Sequence, residues 1–481
     1  GTLRAVIDAG INDWGGVSPV TPDYVNPEAP WPELDRLAEE TAAAGKVLTE
    51  RLTVYPAFAR AQARWLDPAV RPAVLTLMDA SGRAREDSWL TGISDRAPRI
   101  RRHDGAVPGA LRDVLDHIEE GGVEDILPHE CEALFAARGA AFDAVCASAD
   151  RMRQATSGDA VTYVVNRNIN YTNICTYRCQ FCAFSKGKRR TESGDAPYLL
   201  ELGEIQRRSQ EAWARGATEV CLQGGIHPSF TGETYLSIVE AIRAVLPDIH
   251  IHAFSPLEVT HGARSLGLDV AAFLRELKDA GLNSLPGTAA EILSDDVRAI
   301  ICPDKLTTAE WLDAIEAAHG VGLPTTATIM FGHVDSYAHW VTHLTQLRTL
   351  QQRTGGLTEF VPLPFVAHEA PLYRKGGARA GPTYREAVLM HAVARLMLGD
   401  VVANIQASWV KMGRQGAQAC LAAGANDLGG TLMNESITRA AGARHGQEVT
   451  AADMDALARA IGRTSRRRTT LYGLAHDKLC A

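Results

Sequence analysis

The sequence predicts an α/β protein built as a (β/α)8 TIM-type barrel with N-terminal helices. Three observations carry that expectation. From position 161 onward, short runs rich in Val, Ile, Thr and Phe alternate with amphipathic stretches of about ten to twelve residues, the pattern of a parallel sheet with helices packed outside it. Eight such units occupy roughly 300 residues, enough for a complete barrel. Ahead of them, Leu111, Val114, Leu115 and Ile118 recur at the spacing of one helix face. The eighth unit is the weakest, which leaves a partial, open six-stranded barrel as the alternative.

In chain order, residues 1–58 carry half of an internal repeat. Ala9-Gly10-Ile11-Asn12-Asp13-Trp14-Gly15-Gly16 matches Ala423-Gly424-Ala425-Asn426-Asp427-Leu428-Gly429-Gly430 at six of eight positions. Leu34-Asp35-Arg36-Leu37-Ala38 parallels Met454-Asp455-Ala456-Leu457-Ala458, and Thr53-Val54-Tyr55 parallels Thr470-Leu471-Tyr472. Three matches nearly in register point to a duplicated module. Residues 1–58 therefore read as the remnant tail of a preceding barrel, and the chain as a fragment of a longer tandem protein. Leu34, Leu37, Leu48 and Leu52 are then expected to be partly exposed or folded onto the main domain. Residues 59–108, rich in Arg, Asp, Pro and Gly and without steady periodicity, read as a linker, partly ordered at most. Residues 109–160 read as N-terminal helices that cap the start of the main domain, and 161–481 as the barrel with its C-terminal tail.

The strand candidates are 162–169, 219–222, 249–254, 284–285, 325–331, 359–362, 402–406 and 427–431; helices between them include 205–215, 235–246, 270–280 and 308–319. In a parallel barrel the loops leaving the C-terminal ends of the strands form the active-site mouth. The first of these loops carries Cys175, Cys179 and Cys182, spaced C-x3-C-x2-C. Closed structural zinc sites and electron-transfer clusters normally take four protein ligands. Three thiolates and no fourth on the loop suit a cube-shaped iron–sulfur cluster with one iron open to an exogenous ligand. A zinc loop completed by a distant His or Cys is the bland alternative, and a ferredoxin-like relay another.

After the second strand, Gln223-Gly224-Gly225-Ile226-His227-Pro228 offers two residues without Cβ, so the backbone can approach a ligand closely; an ordinary Gly-rich turn is the plainer reading. After the fourth, Gly287-Thr288-Ala289-Ala290-Glu291 places a carboxylate near the mouth, suited to a ribose or amino group or equally to a helix N-terminus. The fifth strand ends in Met330-Phe331-Gly332-His333, an apolar end suited to adenine packing, with His333 placed either for chemistry or for structure. Asn168, Asn170 and Asn173 lead into the Cys loop, there to hydrogen-bond cluster sulfurs or to shape the turn. His250 and His252 share one strand face, so barrel-interior packing accounts for them as well as catalysis does. Lys186-Gly187-Lys188-Arg189-Arg190 reads as a solvated loop or as electrostatic help beside a cofactor, and Arg466-Arg467-Arg468 as a surface charge cluster.

Composition narrows the classes. Hydrophobic residues at 46% support a sizeable core, and a net charge of −8 argues against a general nucleic-acid partner. No apolar run approaches the roughly 18 residues of a membrane span, and the first ten residues lack a secretory layout. Nine Cys, six of them scattered without pairing pattern, fit a reducing cytoplasm.

Taken together, the run from Asn170 to Phe184, with Phe181 as the aromatic before the last Cys, resembles the radical S-adenosylmethionine enzymes. With Gln-Gly-Gly-Ile-His-Pro, Gln406-Ala407-Ser408-Trp409-Val410-Lys411-Met412-Gly413 and the Ala423–Leu432 segment, it resembles more narrowly the FO synthase family, in its 4-hydroxybenzyl transferase half. Residues 11–22 resemble the end of that family's lyase half. The resemblance implies a [4Fe-4S] cluster on Cys175, Cys179 and Cys182, and S-adenosylmethionine on the open iron. Gly224 and Gly225 would sit beside its methionine amino group; the family's glutamate after the two glycines is Ile226 here, so only the backbone role carries over. It further implies that a 5′-deoxyadenosyl radical takes hydrogen from the amino group of L-tyrosine. The Cα–Cβ bond breaks, the hydroxybenzyl fragment joins 5-amino-6-(D-ribitylamino)uracil, and iminoacetate leaves. An electron donor and the FO synthase lyase half are the implied partners. Menaquinone-pathway radical enzymes acting on futalosine derivatives share much of this motif set and are the alternative; a non-enzymatic cluster carrier is another.

Overall fold

A computed structural model describes residues 2–17, 34–98, 106–186 and 196–475. Its centre is a ring of parallel strands. The first stave is a long strand interrupted once, β1 (Val161–Val164) continuing as β2 (Asn166–Asn170). β3 (Glu219–Gln223) pairs with β2 from Asn166↔Glu219 to Asn170↔Gln223, and β4 (His250–Ala253) pairs with β3. The ladder passes through the bridges His252↔Ser284 and Leu285↔Thr325 to β5 (Thr325–Phe331), and from β5 to β6 (Leu357–Pro364). It continues through Phe360↔Ile405 and Gln406↔Asp427 to β7 (Asp427–Gly430), which returns to β1 at Thr162↔Asp427 and Val164↔Gly430. All of these pairings are parallel, so the eight expected staves close and the six-stranded alternative falls away.

The helices follow from the apolar stripes that predict them. Leu202–Ala214, Gly232–Val245, Val270–Ala280 and Thr308–Gly320 lie where helices are expected, and each turns its apolar face inward, as Phe273, Leu274 and Leu277 do. Thr307 caps the last of these by accepting from the Glu310 N–H. The N-terminal helices Pro128–Phe135 and Ala140–Ser157 cover Tyr384–Leu398, a helix buried at every position, and Gly109–Glu119 packs on both of them.

Two expectations are corrected. Part of the stretch read as a linker is packed: Trp89 is buried edge-on to Tyr384, and Asp79 is buried between Arg138 and Arg385. The Ala80 N–H donates to Glu386 Oε1 at 2.8 Å, and the Gly92 N–H to the Lys411 carbonyl at 2.7 Å. Residues 78–94 thus form a strap across the barrel. Backbone and buried charge hold it, and neither leaves a hydrophobic period in the sequence.

The second correction concerns Arg466-Arg467-Arg468. They belong to β8 (Ser465–Arg468), which pairs in parallel with β1; the first two are exposed, as a surface cluster requires, but Arg468 is buried. Arg468 binds Asp427 through two nitrogens, at 2.5 and 2.9 Å, and Glu359 at 3.2 Å. Tyr472 donates to Glu359 at 2.5 Å, and Thr470 donates to Glu219 at 2.7 Å. The C-terminal segment therefore plugs the barrel at the end opposite the Cys loop.

Burial, reinforced by the neighbouring Asp427 charge and opposed by Arg468, pushes the Glu359 carboxyl up to about 7. A carboxyl raised on folding binds a proton in the native state that the unfolded chain has already released. Its contribution to stability therefore falls as pH rises from about 4.5 to about 7. Glu359→Gln is expected to flatten that fall by about 1–3 kcal/mol, read from urea midpoints between pH 5 and pH 8.

Candidate active site

The chain leaves β2 at Asn170 and turns over the ends of its neighbours. Tyr171 is buried and donates its hydroxyl to Glu258. The same carboxylate accepts the Gly224 N–H at 3.2 Å, and the Ser255 N–H and hydroxyl at 2.7 and 2.5 Å. One buried carboxylate thereby ties together the C-terminal ends of β2, β3 and β4. Burial pushes its pKa up, while the Ser255 and Tyr171 hydroxyls pull it down. Sequence reasoning missed Glu258; its signal was Ser255-Pro256-Leu257-Glu258, a capping box at a helix start.

The Gly224-Gly225 turn lies directly against the Cys loop. A Cβ on Gly224 would meet the Tyr171 ring at 2.3 Å, and one on Gly225 would meet the Ile174 carbonyl oxygen at 2.3 Å. The absent side chains let two loops touch, which is the close approach visible here. The Gly225 N–H donates to the Thr172 carbonyl and the Thr176 N–H to the Ile226 carbonyl, both at 2.9 Å. The Ile226 N–H donates to Cys175 Sγ at 3.3 Å, and the Ser185 N–H to Cys182 Sγ at 3.4 Å. The Ile226 side chain is buried with Leu257 and Leu306 against Cys175, so an apolar residue fills that place.

Other bonds fix the loop's far side. The Gln180 N–H donates to the Ile301 carbonyl at 2.8 Å, and the Arg178 N–H to Asp304 at 2.9 Å. Asn173 accepts the Tyr198 N–H and donates to the Ala196 carbonyl, and Asn170 donates to the Gln223 carbonyl. These two asparagines shape the turn. Asn168 lies within β2, opposite Cys221. Lys186 donates to the Ala183 carbonyl at 3.1 Å, and positions 187–190 of the basic run lie outside the described residues.

Cys175, Cys179 and Cys182 all line one cavity of about 470 Å3, bordered also by Arg178 and Lys375. Among the described residues, no three His, Cys, Asp or Glu side chains are drawn together as a metal-holding group. The loop thus holds its thiols around a shared space rather than as a finished ligand shell. Burial pushes the Cys179 thiol up to about 12 despite Lys305, and pushes Cys182 up despite the Ser185 N–H. Thiols of this kind become ligands when a cation supplies the opposing charge, with release of protons. Three soft donors on one side of an open cavity, two of them already receiving backbone N–H bonds, fit a cluster with one exposed iron.

Glu291 sits close by. The neighbouring helix, Asp295–Ile301, has Ser294 as its N-cap, so Glu291 is not a helix-terminal charge. It pairs instead with Lys305 at 2.8 Å, and Lys305 lies 5.2 Å over the ring of Phe181, between two of the three Cys. Ala289 and Glu291 both take left-handed backbone, at φ 64° and 49°. Non-glycine residues are held there only where surroundings over-determine them, commonly at functional sites. His333 is structural: fully buried, it bonds the Met330 carbonyl at 3.0 Å, while its neighbour Asp335 binds Arg379. His250 and His252 both bond Ser284 at 2.7 Å beside Glu219, toward the plugged end of the barrel.

Residues 169–347 match the radical SAM superfamily and residues 354–478 the CofH/MqnC C-terminal region. The chain is 45% identical to an FO synthase of Mycobacterium tuberculosis (strain H37Rv), over 98% of this chain and 60% of that protein. It is 46% identical to one of Streptomyces coelicolor, over 97% of this chain and 58% of that protein. It therefore spans about three-fifths of the length of these relatives. A 5-amino-6-(D-ribitylamino)uracil–L-tyrosine 4-hydroxyphenyl transferase of Methanothermobacter thermautotrophicus is 48% identical, over 74% of this chain and 95% of that protein. Among solved structures, methylornithine synthase PylB is similar at a TM-score of 0.57 and 17% identity, covering 74% of this chain and 97% of that one. The hydrogenase maturase HydG of Carboxydothermus hydrogenoformans is similar at 0.56 and 15%, covering 75% and 80%. These two show the shared fold.

Gly225→Ala forces a Cβ into the Ile174 carbonyl. It is expected to destabilise the protein by about 1–3 kcal/mol and to displace Cys175. Iron content after reconstitution should fall sharply while the circular dichroism of the barrel is kept; unchanged iron loading would refute the contact.

Proposed function

We propose a function from one premise: the chain belongs to the radical S-adenosylmethionine superfamily and, within it, to the family of FO synthases and 4-hydroxyphenyl transferases. Membership brings a [4Fe-4S] cluster and S-adenosylmethionine as cofactors. The reaction we infer is transfer of the 4-hydroxybenzyl group of L-tyrosine to 5-amino-6-(D-ribitylamino)uracil. The observation that carries it is the Cys175, Cys179 and Cys182 cavity at the mouth of a closed barrel, in a chain that matches nearly the whole transferase relative. The relatives favour this reaction over one on futalosine derivatives.

When bound, the cluster and S-adenosylmethionine supply a 5′-deoxyadenosyl radical, generated by one electron. The chain's part is to hold, orient and shield. Cys175, Cys179 and Cys182 are the proposed ligands, with the Ile226 and Ser185 N–H groups stabilising negative charge on two sulfurs. Gly224 and Gly225 bring backbone to the rim beside Cys175, and Glu291 offers a carboxylate on the same side, steadied by Lys305. The barrel walls exclude water from a radical that would otherwise be quenched. A single-electron donor must reach the cavity from outside. The FO synthase lyase half is the proposed consumer of the product, and the cytoplasm the proposed compartment. Among the described residues no helix is long and apolar enough to cross a membrane.

Cys175→Ala, Cys179→Ala and Cys182→Ala are each expected to abolish the cluster's absorbance and 5′-deoxyadenosine formation, whereas Cys221→Ala, Cys302→Ala and Cys420→Ala should keep both. Loss of the cluster in a folded protein of the second group would overturn the ligand assignment.

Anaerobic incubation with reductant, S-adenosylmethionine, tyrosine and the ribitylaminouracil should accumulate the hydroxybenzyl adduct, read by mass spectrometry. The 481 residues carry one such Cys triad, so fluorescent deazaflavin should appear only after a separate lyase is added. Deazaflavin from this chain alone would sink the proposal.

A further inference from the structure

The segment from Gln406 to Gly413 has no part in holding the Cys loop, yet its shape is fixed from several sides. Gln406 pairs with Asp427 in the barrel wall, and the chain then leaves the C-terminal end of that stave to begin the helix Trp409–Leu421. The helix makes one turn and breaks at Gly413 (φ 69°, ψ 174°), where a Cβ would stand 3.1 Å from the His445 ring. Three bonds hold the turn. Trp409 Nε1 donates to the Gly430 carbonyl at 2.9 Å, and His445 Nδ1 to the Val410 carbonyl at 3.0 Å. The Gly92 N–H of the strap donates to the Lys411 carbonyl, and the Gly92 carbonyl accepts the Arg444 N–H, both at 2.7 Å. Backbone constrained in this way fixes the direction of the one charged side chain between 406 and 413, that of Lys411.

The Lys411 ammonium has no carboxylate of its own. Among the described residues its one hydrogen bond is to the Thr438 hydroxyl, at the outer limit of 3.5 Å, and it forms no ion pair. Lys305, the other lysine enclosed near the mouth, holds Glu291 at 2.8 Å. The Lys411 side chain is half-buried; desolvation by its surroundings pushes its pKa down, opposed by the charges of Glu435 and Glu291. The Glu291 charge also acts on the Cys179 thiol, so one carboxylate lies within reach of both the ammonium and the Cys cavity. From the same loop as Thr438, Ser436 donates to Asn170, the last residue of β2 before the Cys loop, at 2.9 Å. That loop opens with two successive non-glycine residues in left-handed backbone, Leu432 (φ 67°) and Met433 (φ 45°), a strain commonly held at functional sites. Lys411 therefore stands at the barrel mouth beside the Cys loop. A desolvated ammonium without a partner is unfavourable until an anion arrives.

We propose that Lys411 binds the α-carboxylate of the amino-acid substrate, and so sets where that substrate's amino group lies at the mouth. The proposal rests on the transfer reaction proposed above, whose three small molecules differ in the anion they offer. S-adenosylmethionine, bound at the open iron, has the metal as counter-charge for its carboxylate. The ribitylaminouracil has no carboxylate. Tyrosine alone brings one that lacks a partner. The uncharged substrate has neutral partners deeper in the barrel. Asn168, Gln223 and Gln406 face inward and stay half-exposed, while their outward neighbours Ile169, Leu222 and Ile405 are fully buried. The carboxamides of Asn168 and Gln406 make no hydrogen bond among the described residues. Such groups both donate and accept, which suits a uracil ring and a chain of hydroxyls. Glu435, held by the Thr438 and Arg439 N–H groups at 2.7 and 3.3 Å, adds negative charge near Lys411 that suits the α-amino end of the same zwitterion.

Equilibrium binding of tyrosine and of tyramine, which lacks the carboxylate, to the anaerobically reconstituted holoenzyme tests the assignment. The unsubstituted protein should bind tyrosine at least about 30-fold more tightly than tyramine. Lys411→Met should remove that preference by weakening tyrosine, leaving tyramine and ribitylaminouracil binding unchanged, and Lys411→Arg should keep part of it. In turnover, KM for tyrosine should rise in Lys411→Met with no matching rise for the ribitylaminouracil. A Lys411→Met protein that still prefers tyrosine, or that loses tyramine together with tyrosine, overturns the assignment and leaves the reaction standing. Unsubstituted holoenzyme that binds no tyrosine overturns both.

Discussion

A parallel barrel with one unpaired edge exposes a row of backbone donors and acceptors, and every stave depends on the ring being complete. Here the ring is completed by Thr162 against Asp427 and Val164 against Gly430, and the junction is fastened from below. Asp427 is the hinge of that fastening. It takes part in the ladder, accepts the Thr162 hydroxyl at 2.5 Å, and holds Arg468, which in turn gathers Glu359 from across the barrel. Removing one partner from so enclosed a set leaves a buried charge without compensation, which is far more damaging than the pair's net worth suggests.

At the opposite end the requirement is accuracy. Glu258 sets three strand ends against one another, and the two glycines then let the Cys loop rest on the next turn at van der Waals distance. The loop borrows its shape from neighbours on four sides: the Gly225 turn, Ile301, Asp304 and Leu372, whose N–H donates to the Gln180 carbonyl at 2.7 Å. A site on a loop gains the precision of a site on a strand when its backbone is bonded on every side.

The eight staves and the Cys loop were legible because both leave local signatures: alternating periodicity for the strands and fixed spacing for the thiols. What stayed hidden lacks such a signature. The strap at 78–94 is held by Asp79, Arg85 and backbone groups, a composition that reads as a linker. Arg468 looks like its exposed neighbours Arg466 and Arg467 until the barrel places two carboxylates around it. Glu291 was visible as a carboxylate near the mouth, but its partner Lys305 lies fourteen positions on and is brought over Phe181 by tertiary structure alone. His333 was equally visible, and only its complete burial assigns it to structure.

The separation of 265 positions between Thr162 and Asp427 also sets an order of assembly during synthesis. The hydrogen bonds that shape the Cys loop reach no further than Leu372 and Lys375, so they are available while the ribosome is still producing the last two staves. Short-range contacts form before long-range ones because less chain must be ordered to make them. The thiol-lined cavity therefore needs only contacts that a nascent chain can make while its barrel is still an open sheet. The last strands then close that sheet.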